Sequence, residues 1–168
     1  KQKVDKTIIE KLKIKAKQPN LNDWKRVVKA KLMPEKEVNV SFVGKYTELK
    51  DSYKSINEAL EHAGIKNKAK VNINFVEAEN ISSKNIKKTL KNADAVLVPG
   101  GFGERGIEGM ILACKYAREN NIPYLGICLG MQVAIIEYAR NVLNLKGANS
   151  TEFDQNTKHP VIGLITEW

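Results

Sequence analysis

Residues 122–142 read IPYLGICLGMQVAIIEYARNV, and this stretch decides the fold. Its first part, PYLGI, is an apolar run of the kind that forms a buried strand, and it passes directly into a stretch with helical periodicity. The apolar residues at that spacing are Met131, Ile135, Tyr138 and Val142. Gly126 and Gly130 flank the junction, where a sharp turn brings two backbones close together. The stretch therefore predicts a strand, a tight turn with Cys128 at its apex, and a helix.

Strands and helices alternate along the chain from residue 38 onwards. The pattern predicts strands at residues 38–43, 71–75, 95–98, 123–127 and 161–166. One intervening helix places Tyr53, Ile56 and Leu60 on one face and is closed by Gly64. Such alternation predicts an α/β fold, in which helices cover both faces of a parallel sheet. Ligands of such folds bind outside the carboxyl ends of the strands.

Cys128 lies at the predicted strand-to-helix turn, an arrangement known as a nucleophile elbow. A helix N-terminus favours a negatively charged sulfur, which is the reactive form of a cysteine. The alternative is a buried, inert cysteine, and this is our interpretation of Cys114. For Cys128, the flanking glycines favour a nucleophile.

A second loop, PGGFG at residues 99–103, also leaves a predicted buried strand and leads into a helix. Three glycines in four positions suit a backbone whose N–H groups point at an anion. The alternatives are a flexible turn or a phosphate cradle, although the loop lacks the Lys-Ser/Thr ending of a Walker loop. Beside a nucleophilic cysteine, the loop predicts half of an oxyanion hole, with the Leu129 N–H as the other half.

The composition excludes several classes of protein. A chain of 168 residues with 42% hydrophobic and 28% charged residues is neither disordered nor collagenous. No apolar run approaches the roughly 18 residues of a membrane span. Two cysteines cannot form a disulfide framework or a four-thiolate zinc site, so we expect no metal site and a reducing, cytoplasmic location.

The net charge of +9 is concentrated at the N-terminus, where residues 1–37 contain 12 basic and 5 acidic residues. Apart from Trp24, no aromatic residues interleave with the basic ones, and no nucleic-acid motif is present, so we expect no nucleic-acid partner. Two helices are predicted here, the second of which carries Trp24, Val27 and Val28 inward. The segment is either a solvated helix lying on its own domain or the tail of a neighbouring domain with its connector.

Four segments resemble the glutamine amidotransferase domain of the CTP synthase family: PGGFGERGIEG, IPYLGICLGMQVAIIEYARNV, STEF and HPVIGLITEW. PGG together with GICLGMQ is typical of class I amidotransferases in general. VSFVGKYTELKDSYKSINEAL is similar to the beginning of that family's domain, and QPNLNDWKRVV is similar to its interdomain linker. The resemblance implies a flavodoxin-like class I fold, with residues 1–36 as linker or synthetase-domain tail and residues 37–168 as the N-terminal part of the amidotransferase domain.

The resemblance also implies roles for individual residues. Cys128 matches the nucleophile that attacks the glutamine amide, giving a γ-glutamyl thioester and ammonia. Glu152 matches the residue that binds the α-amino group of glutamine, as a carboxylate can. Lys45 and Lys54 match basic residues near the contact with the synthetase domain. Gly101 and Leu129 match oxyanion-hole positions that also contact glutamine, and the same pocket is lined by Gly130, Met131 and Gln132.

For the complete enzyme, the resemblance implies a cytoplasmic homotetrameric ligase of pyrimidine nucleotide biosynthesis. Its synthetase domain uses ATP and Mg²⁺ to aminate UTP to CTP, and GTP activates the glutamine half-reaction. We expect no cofactor in the present chain.

Class I amidotransferases also use a His-x-Glu pair as a base, and no such pair occurs in this sequence. His62 precedes Ala63, and His159 precedes Pro160, so neither fits the pattern. We therefore expect a fold that is incomplete at its C-terminus and has little turnover by itself. Two alternatives remain: another class I amidotransferase or similar cysteine hydrolase, or a non-catalytic interaction module.

Overall fold

The computed structural model describes residues 3–17, 19–45, 47 and 50–163. Its main sheet contains four parallel strands in the order β2-β1-β3-β4. The strands are β1 (Lys36–Gly44), β2 (Ala69–Glu77), β3 (Ala95–Val98) and β4 (Tyr124–Gly126). Because all four strands run in the same direction, their carboxyl ends meet at one edge of the sheet, where the two predicted loops lie.

Six α-helices occur among the described residues, and most of them connect successive strands. They are α1 (Val4–Lys11), α2 (Asn22–Leu32), α3 (Lys54–Lys66), α4 (Ile86–Thr89), α5 (Ile107–Glu119) and α6 (Leu129–Asn141). Short 3-10 turns occur at Lys50–Tyr53 and Ala78–Asn80. Among these helices, none is both long enough and apolar enough to cross a membrane.

Alternating side chains of the strands supply two separate hydrophobic clusters. Phe42 and Leu97 pack with Tyr53 and with α3 on one face of the sheet. Val43 and Val98 face the opposite side, where α4, α5 and α6 cover them. The predicted α/β fold, with helices on both faces of a parallel sheet, is therefore confirmed.

Gly64 does not close its helix, contrary to the prediction, because α3 continues to Lys66. A Cβ atom at this position would lie 2.5 Å from the carbonyl oxygen of Ala69. The glycine is therefore explained by the close approach of α3 to the start of β2, not by helix termination.

The apolar stripes named above for α2 and α6 are both exposed, which for α2 contradicts the prediction. Trp24 of α2 is 68% exposed, and Val27 and Val28 are exposed as well, so they do not point inward. On α6, the predicted stripe that includes Met131 and Tyr138 is exposed. The residues of α6 that face the core are Leu129, Val133, Ile136, Glu137 and Ala139.

The predicted last strand is shorter than expected and belongs to a different sheet. β6 (Pro160–Ile162) pairs in parallel with β5 (Asn149–Ser150), apart from the four-stranded sheet. Residues 164–166 of the predicted strand lie outside the described residues. The β5–β6 pair follows α6 and places Glu152 near the carboxyl edge of the main sheet.

Candidate active site

Cys128 lies between β4 and α6 in an unusual backbone conformation. Its φ is 53° and its ψ is −102°, a combination that residues with a side chain rarely adopt. Its side chain is exposed at the carboxyl edge of the sheet. A strained apex with an exposed sulfur at a helix N-terminus is the geometry of a nucleophile elbow.

Gly126 and Gly130 are required by the packing of this turn. A Cβ atom at Gly126 would lie 2.4 Å from the backbone of Gly130. A Cβ atom at Gly130 would lie 2.2 Å from the carbonyl oxygen of Val98. Both distances are far below van der Waals contact, so the turn can form only with glycine at these two positions.

Hydrogen bonds from neighbouring elements hold the turn in place. The Ile127 N–H donates to the Val98 carbonyl at 2.9 Å, which joins the turn to β3. The Tyr124 hydroxyl donates to the Gly130 carbonyl at 2.8 Å, which joins the strand before the turn to the helix after it. Burial and the adjacent Cys114 raise the pKa of Tyr124, so this hydroxyl remains a donor. Sequence reasoning did not find this role of Tyr124.

The glycine loop after β3 packs directly against the turn. A Cβ atom at Gly100 would lie 3.6 Å from the Cβ of Cys128, and one at Gly101 would lie 3.1 Å from Leu129 Cδ2. Within the described part of the chain, neither the Gly101 nor the Leu129 N–H donates a backbone hydrogen bond. The structure therefore brings the two predicted oxyanion-hole residues together beside the sulfur.

Two charged side chains contact the same loop. The ammonium of Lys45, which is 4% exposed, donates to the carbonyls of Phe102 at 2.7 Å and Gly103 at 2.6 Å. Burial lowers the pKa of Lys45, the nearby Arg105 lowers it further, and the carboxylate of Glu152 opposes the shift. Glu152 accepts a hydrogen bond from the Gly103 N–H at 2.9 Å.

A cavity of about 560 Å³ lies beside Glu152, the residue that binds the loop, and most of the residues that line it are polar. Its walls are formed by Gln132, Ser150, Thr151, Glu152, Gln155, Ile162 and Gly163. The side-chain oxygen of Gln132 is buried and has no hydrogen-bond partner among the described residues. An unsatisfied buried acceptor and a carboxylate that line one cavity suit a ligand with polar hydrogens. Two of the predicted glutamine-binding residues, Gln132 and Glu152, thus share one cavity.

Met131 is placed differently from the other predicted pocket residues. Its side chain is 56% exposed and lies in an apolar depression with Ala134, Ile135 and Tyr138. Its backbone N–H, however, donates to the Cys128 carbonyl at 3.0 Å within the turn. The structure therefore places the Met131 backbone at the site and its side chain outside the cavity of Gln132 and Glu152.

The two cysteines occupy opposite environments. Cys114 is buried in α5, where burial, with the negative charge of Glu137 adding to it, raises the pKa of the thiol to about 12. Cys128 is exposed. Cys114 is therefore buried, as predicted, whereas the thiol of Cys128 is accessible to a reactant.

Within the described ranges, neither histidine belongs to a cluster that could hold a metal ion. His62 is exposed on α3 and lines a cavity with Val27 and Met33. His159 lies before β6, where its carbonyl accepts the Asn149 N–H at 3.1 Å. Among the described residues, no group of three or more His, Cys, Asp or Glu residues could hold a metal ion.

The buried thiol of Cys114 is expected to make stability fall with rising pH. Its pKa rises from an ordinary value of 9.0 to about 12 on folding, so above pH 9.0 the folded state keeps a proton that the unfolded state loses. The free energy of unfolding should therefore fall by about 1.4 kcal/mol between about pH 8 and pH 10 from this group alone. Urea denaturation at both pH values measures the effect. The Cys114→Ala variant is the control, and an equal fall in that variant would contradict the assignment.

Comparison with known proteins shows the family to which the chain belongs. Residues 48–163 match the family model of class-I glutamine amidotransferases, and the chain therefore belongs to that family. Among solved structures, it is similar to the glutaminase domain of Trypanosoma brucei CTPS with bound acivicin, at 41% sequence identity and a TM-score of 0.73. The match covers 77% of this chain and 50% of that chain, so this chain spans about half the length of that relative.

These findings confirm the family resemblance and the fold class inferred from the sequence. The domain boundary at residue 36 and the roles of individual site residues stay predictions.

Proposed function

We propose that Cys128 is the nucleophile of a glutaminase site that releases ammonia from L-glutamine. The observation that carries this proposal is the exposed sulfur at a strained strand-to-helix apex, with Gly100 packed against it. A backbone held in this conformation projects its side chain into the space above the sheet edge, where a substrate can reach it. The chain belongs to the class-I glutamine amidotransferases, and this supports an amide as the substrate.

The proposed reaction takes place at the side-chain carbonyl carbon of glutamine. A carbon–sulfur bond replaces the carbon–nitrogen bond, and a carbon–oxygen bond then replaces the carbon–sulfur bond. The thiol of Cys128 gives up its proton and the thiolate adds to this carbon, and the resulting oxyanion accepts hydrogen bonds from the N–H groups of Gly101 and Leu129. The carbon–nitrogen bond then breaks, and the nitrogen takes up the proton that the Cys128 thiol gave up and leaves as ammonia. Water subsequently hydrolyses the γ-glutamyl thioester to glutamate and restores the thiol. The base for these proton transfers is not assigned to His62 or His159, because neither belongs to a His-x-Glu pair.

The rest of the substrate is proposed to occupy the cavity beside the loop. Glu152 would bind the α-ammonium group, and the unsatisfied oxygen of Gln132 would accept one of its hydrogens. Gly130 and Met131, for which the family resemblance also implies a place in the pocket, are not among the walls of this cavity.

We further propose that the ammonia serves a CTP synthase. The 41% identity to the Trypanosoma CTPS glutaminase domain supports this assignment, as do the similar segments along the chain. In the complete homotetrameric, cytoplasmic enzyme, a synthetase domain would use ATP and Mg²⁺ to aminate UTP in pyrimidine biosynthesis, and GTP would activate the glutaminase site. Residues 1–36 would be the connector to that domain.

The chloroketone analogue of L-glutamine is expected to alkylate Cys128 and to leave Cys114 unmodified. Cys128 is exposed beside the proposed oxyanion hole, whereas the Cys114 thiol is buried and remains protonated near neutral pH. Mass measurement of the intact protein and of its peptides locates the adduct.

Three controls make this experiment decisive. Excess L-glutamine should protect Cys128, a Cys114→Ser variant should react as the wild type does, and a Cys128→Ser variant should not react. Equal labelling of both cysteines, or labelling that glutamine does not slow, would show that the site is not a glutaminase site.

A further inference from the structure

Lys45 occupies a position that is unusual for a lysine. It follows β1 directly at the carboxyl edge of the sheet and is 4% exposed. Lysine is almost never buried to this degree unless its ammonium has partners. Its backbone is fixed as well, because the hydroxyl of the buried Tyr53 donates to its carbonyl. Both ends of the residue are therefore held, and the ammonium is directed at one place in the structure.

That place is the peptide unit between Phe102 and Gly103. The carbonyl of this unit accepts the Lys45 ammonium at 2.7 Å, and its N–H donates to the Glu152 carboxylate at 2.9 Å. A cation and a carboxylate thus hold the two ends of one peptide dipole, each in the favourable orientation. Lys45 also binds the next carbonyl, that of Gly103, at 2.6 Å. Charge-assisted hydrogen bonds of this length are among the stronger ones in proteins.

Packing does not hold this part of the loop. Phe102 is 86% exposed, and a Cβ atom at Gly103 would have no neighbour within 4 Å. Gly103 has a φ of 73°, and a chain with three glycines in four residues has many alternative conformations. The hydrogen bonds with the two charged side chains are therefore the contacts that select one conformation.

We propose that Lys45 is a positioning residue, which fixes the glycine loop so that the Gly101 N–H is aligned with the oxyanion. This inference rests on the proposed glutaminase function. It differs from the role near a synthetase-domain contact that the family resemblance implies for Lys45, because the ammonium is enclosed by this chain's own loop. The resemblance implies the same synthetase-domain role for Lys54. Lys54 is exposed on α3 and serves as a matched control.

The test compares two electrophiles that react with the same sulfur. The chloroketone analogue of glutamine needs the oxyanion hole, whereas iodoacetamide needs only an accessible thiolate. In a Lys45→Met variant, the rate of Cys128 alkylation by the chloroketone should fall by about tenfold to a hundredfold, as expected for a displaced catalytic group. The rate with iodoacetamide should stay within about twofold, since the elbow itself is unchanged. Lys54→Met should alter neither rate.

The possible outcomes separate the inference from the function on which it rests. If both rates fall equally in Lys45→Met, or if neither changes, Lys45 does not position the loop. If the wild-type chain shows no glutamine-protected labelling of Cys128, the proposed function itself fails and the inference fails with it. If Lys45→Met does not fold, Lys45→Gln, which can still donate to one carbonyl, replaces it. A Lys45→Gln variant without a selective loss with the chloroketone would overturn the proposal.

Discussion

Replacing Gly130 with alanine is expected to lower the free energy of unfolding by about 3 kcal/mol and to abolish selective labelling of Cys128. The new Cβ would lie 2.2 Å from the carbonyl oxygen of Val98 and 3.0 Å from its carbonyl carbon. Both atoms belong to the backbone of β3, so neither can rotate away as a side chain can. The turn must move away from the strand, and the Ile127 N–H would then lose its bond to the same carbonyl.

Helix propensity alone would predict the opposite result, an increase in the free energy of unfolding. Gly130 lies in the first turn of α6, and alanine is favoured over glycine in helices by up to about 1 kcal/mol. If the Gly130→Ala variant were more stable than the wild type, this would contradict the close approach of α6 to β3. Urea denaturation measures the change. The matched control is Gly163→Ala, where the new Cβ would lie 3.8 Å from Thr151, an ordinary contact, and the change should stay within about 0.5 kcal/mol.

Replacing Arg118 with methionine is expected to cost about 3 kcal/mol of stability. Glu137 faces the core from α6 and is 1% exposed, so its carboxylate depends on protein partners. Arg118 of α5 supplies them through two nitrogens, with Nη2 2.7 Å from Oε1 and Nε 3.0 Å from Oε2. This pairing raises the pKa of Arg118, so its guanidinium remains charged. Removing it would leave a buried charge without its counterion.

Two further variants test the cause of this loss. Glu119 lies 3.8 Å from the same guanidinium but on the surface, so Glu119→Gln should change stability by less than about 1 kcal/mol. A double variant, Arg118→Met with Glu137→Met, should recover much of the loss, because an apolar pair leaves no buried charge. The assignment is wrong if Arg118→Met is as stable as Glu119→Gln in urea denaturation.

The elbow could be predicted from the sequence because its determinants are local. Gly126, Cys128 and Gly130 lie within five residues, and their spacing reflects a close backbone approach that only glycine permits. The glycine loop was predictable for the same reason. Their juxtaposition followed from the parallel sheet, since loops after neighbouring strands meet at one edge.

The buried face of α6 could not be predicted from periodicity. Apolar residues surround this helix, so the stripe containing Met131 and Tyr138 and the stripe containing Val133 and Ile136 fit a helical period equally well. Only the packing against α5 and β3 selects the second stripe. A charged residue, Glu137, also lies on the buried face, and a sequence pattern would place it in solvent.

The contacts of Lys45 and Glu152 are beyond sequence reasoning for a different reason. Lys45 is separated by 57 residues from Phe102, and Gly103 by 49 residues from Glu152. No local pattern connects positions so far apart, and only the resemblance to a family indicated a binding role for Glu152. The three-dimensional structure is what places both side chains on one peptide unit.

The backbone of Cys128 has a consequence for how this position can change in evolution or in the laboratory. A φ of 53° with a ψ of −102° is a conformation that glycine adopts readily and that costs other residues about 1–3 kcal/mol. A screen for heat resistance alone would therefore favour glycine at this position, whereas under the proposed function a screen for ammonia release would require cysteine. At this one residue, selection for a durable fold and selection for reactivity act in opposite directions.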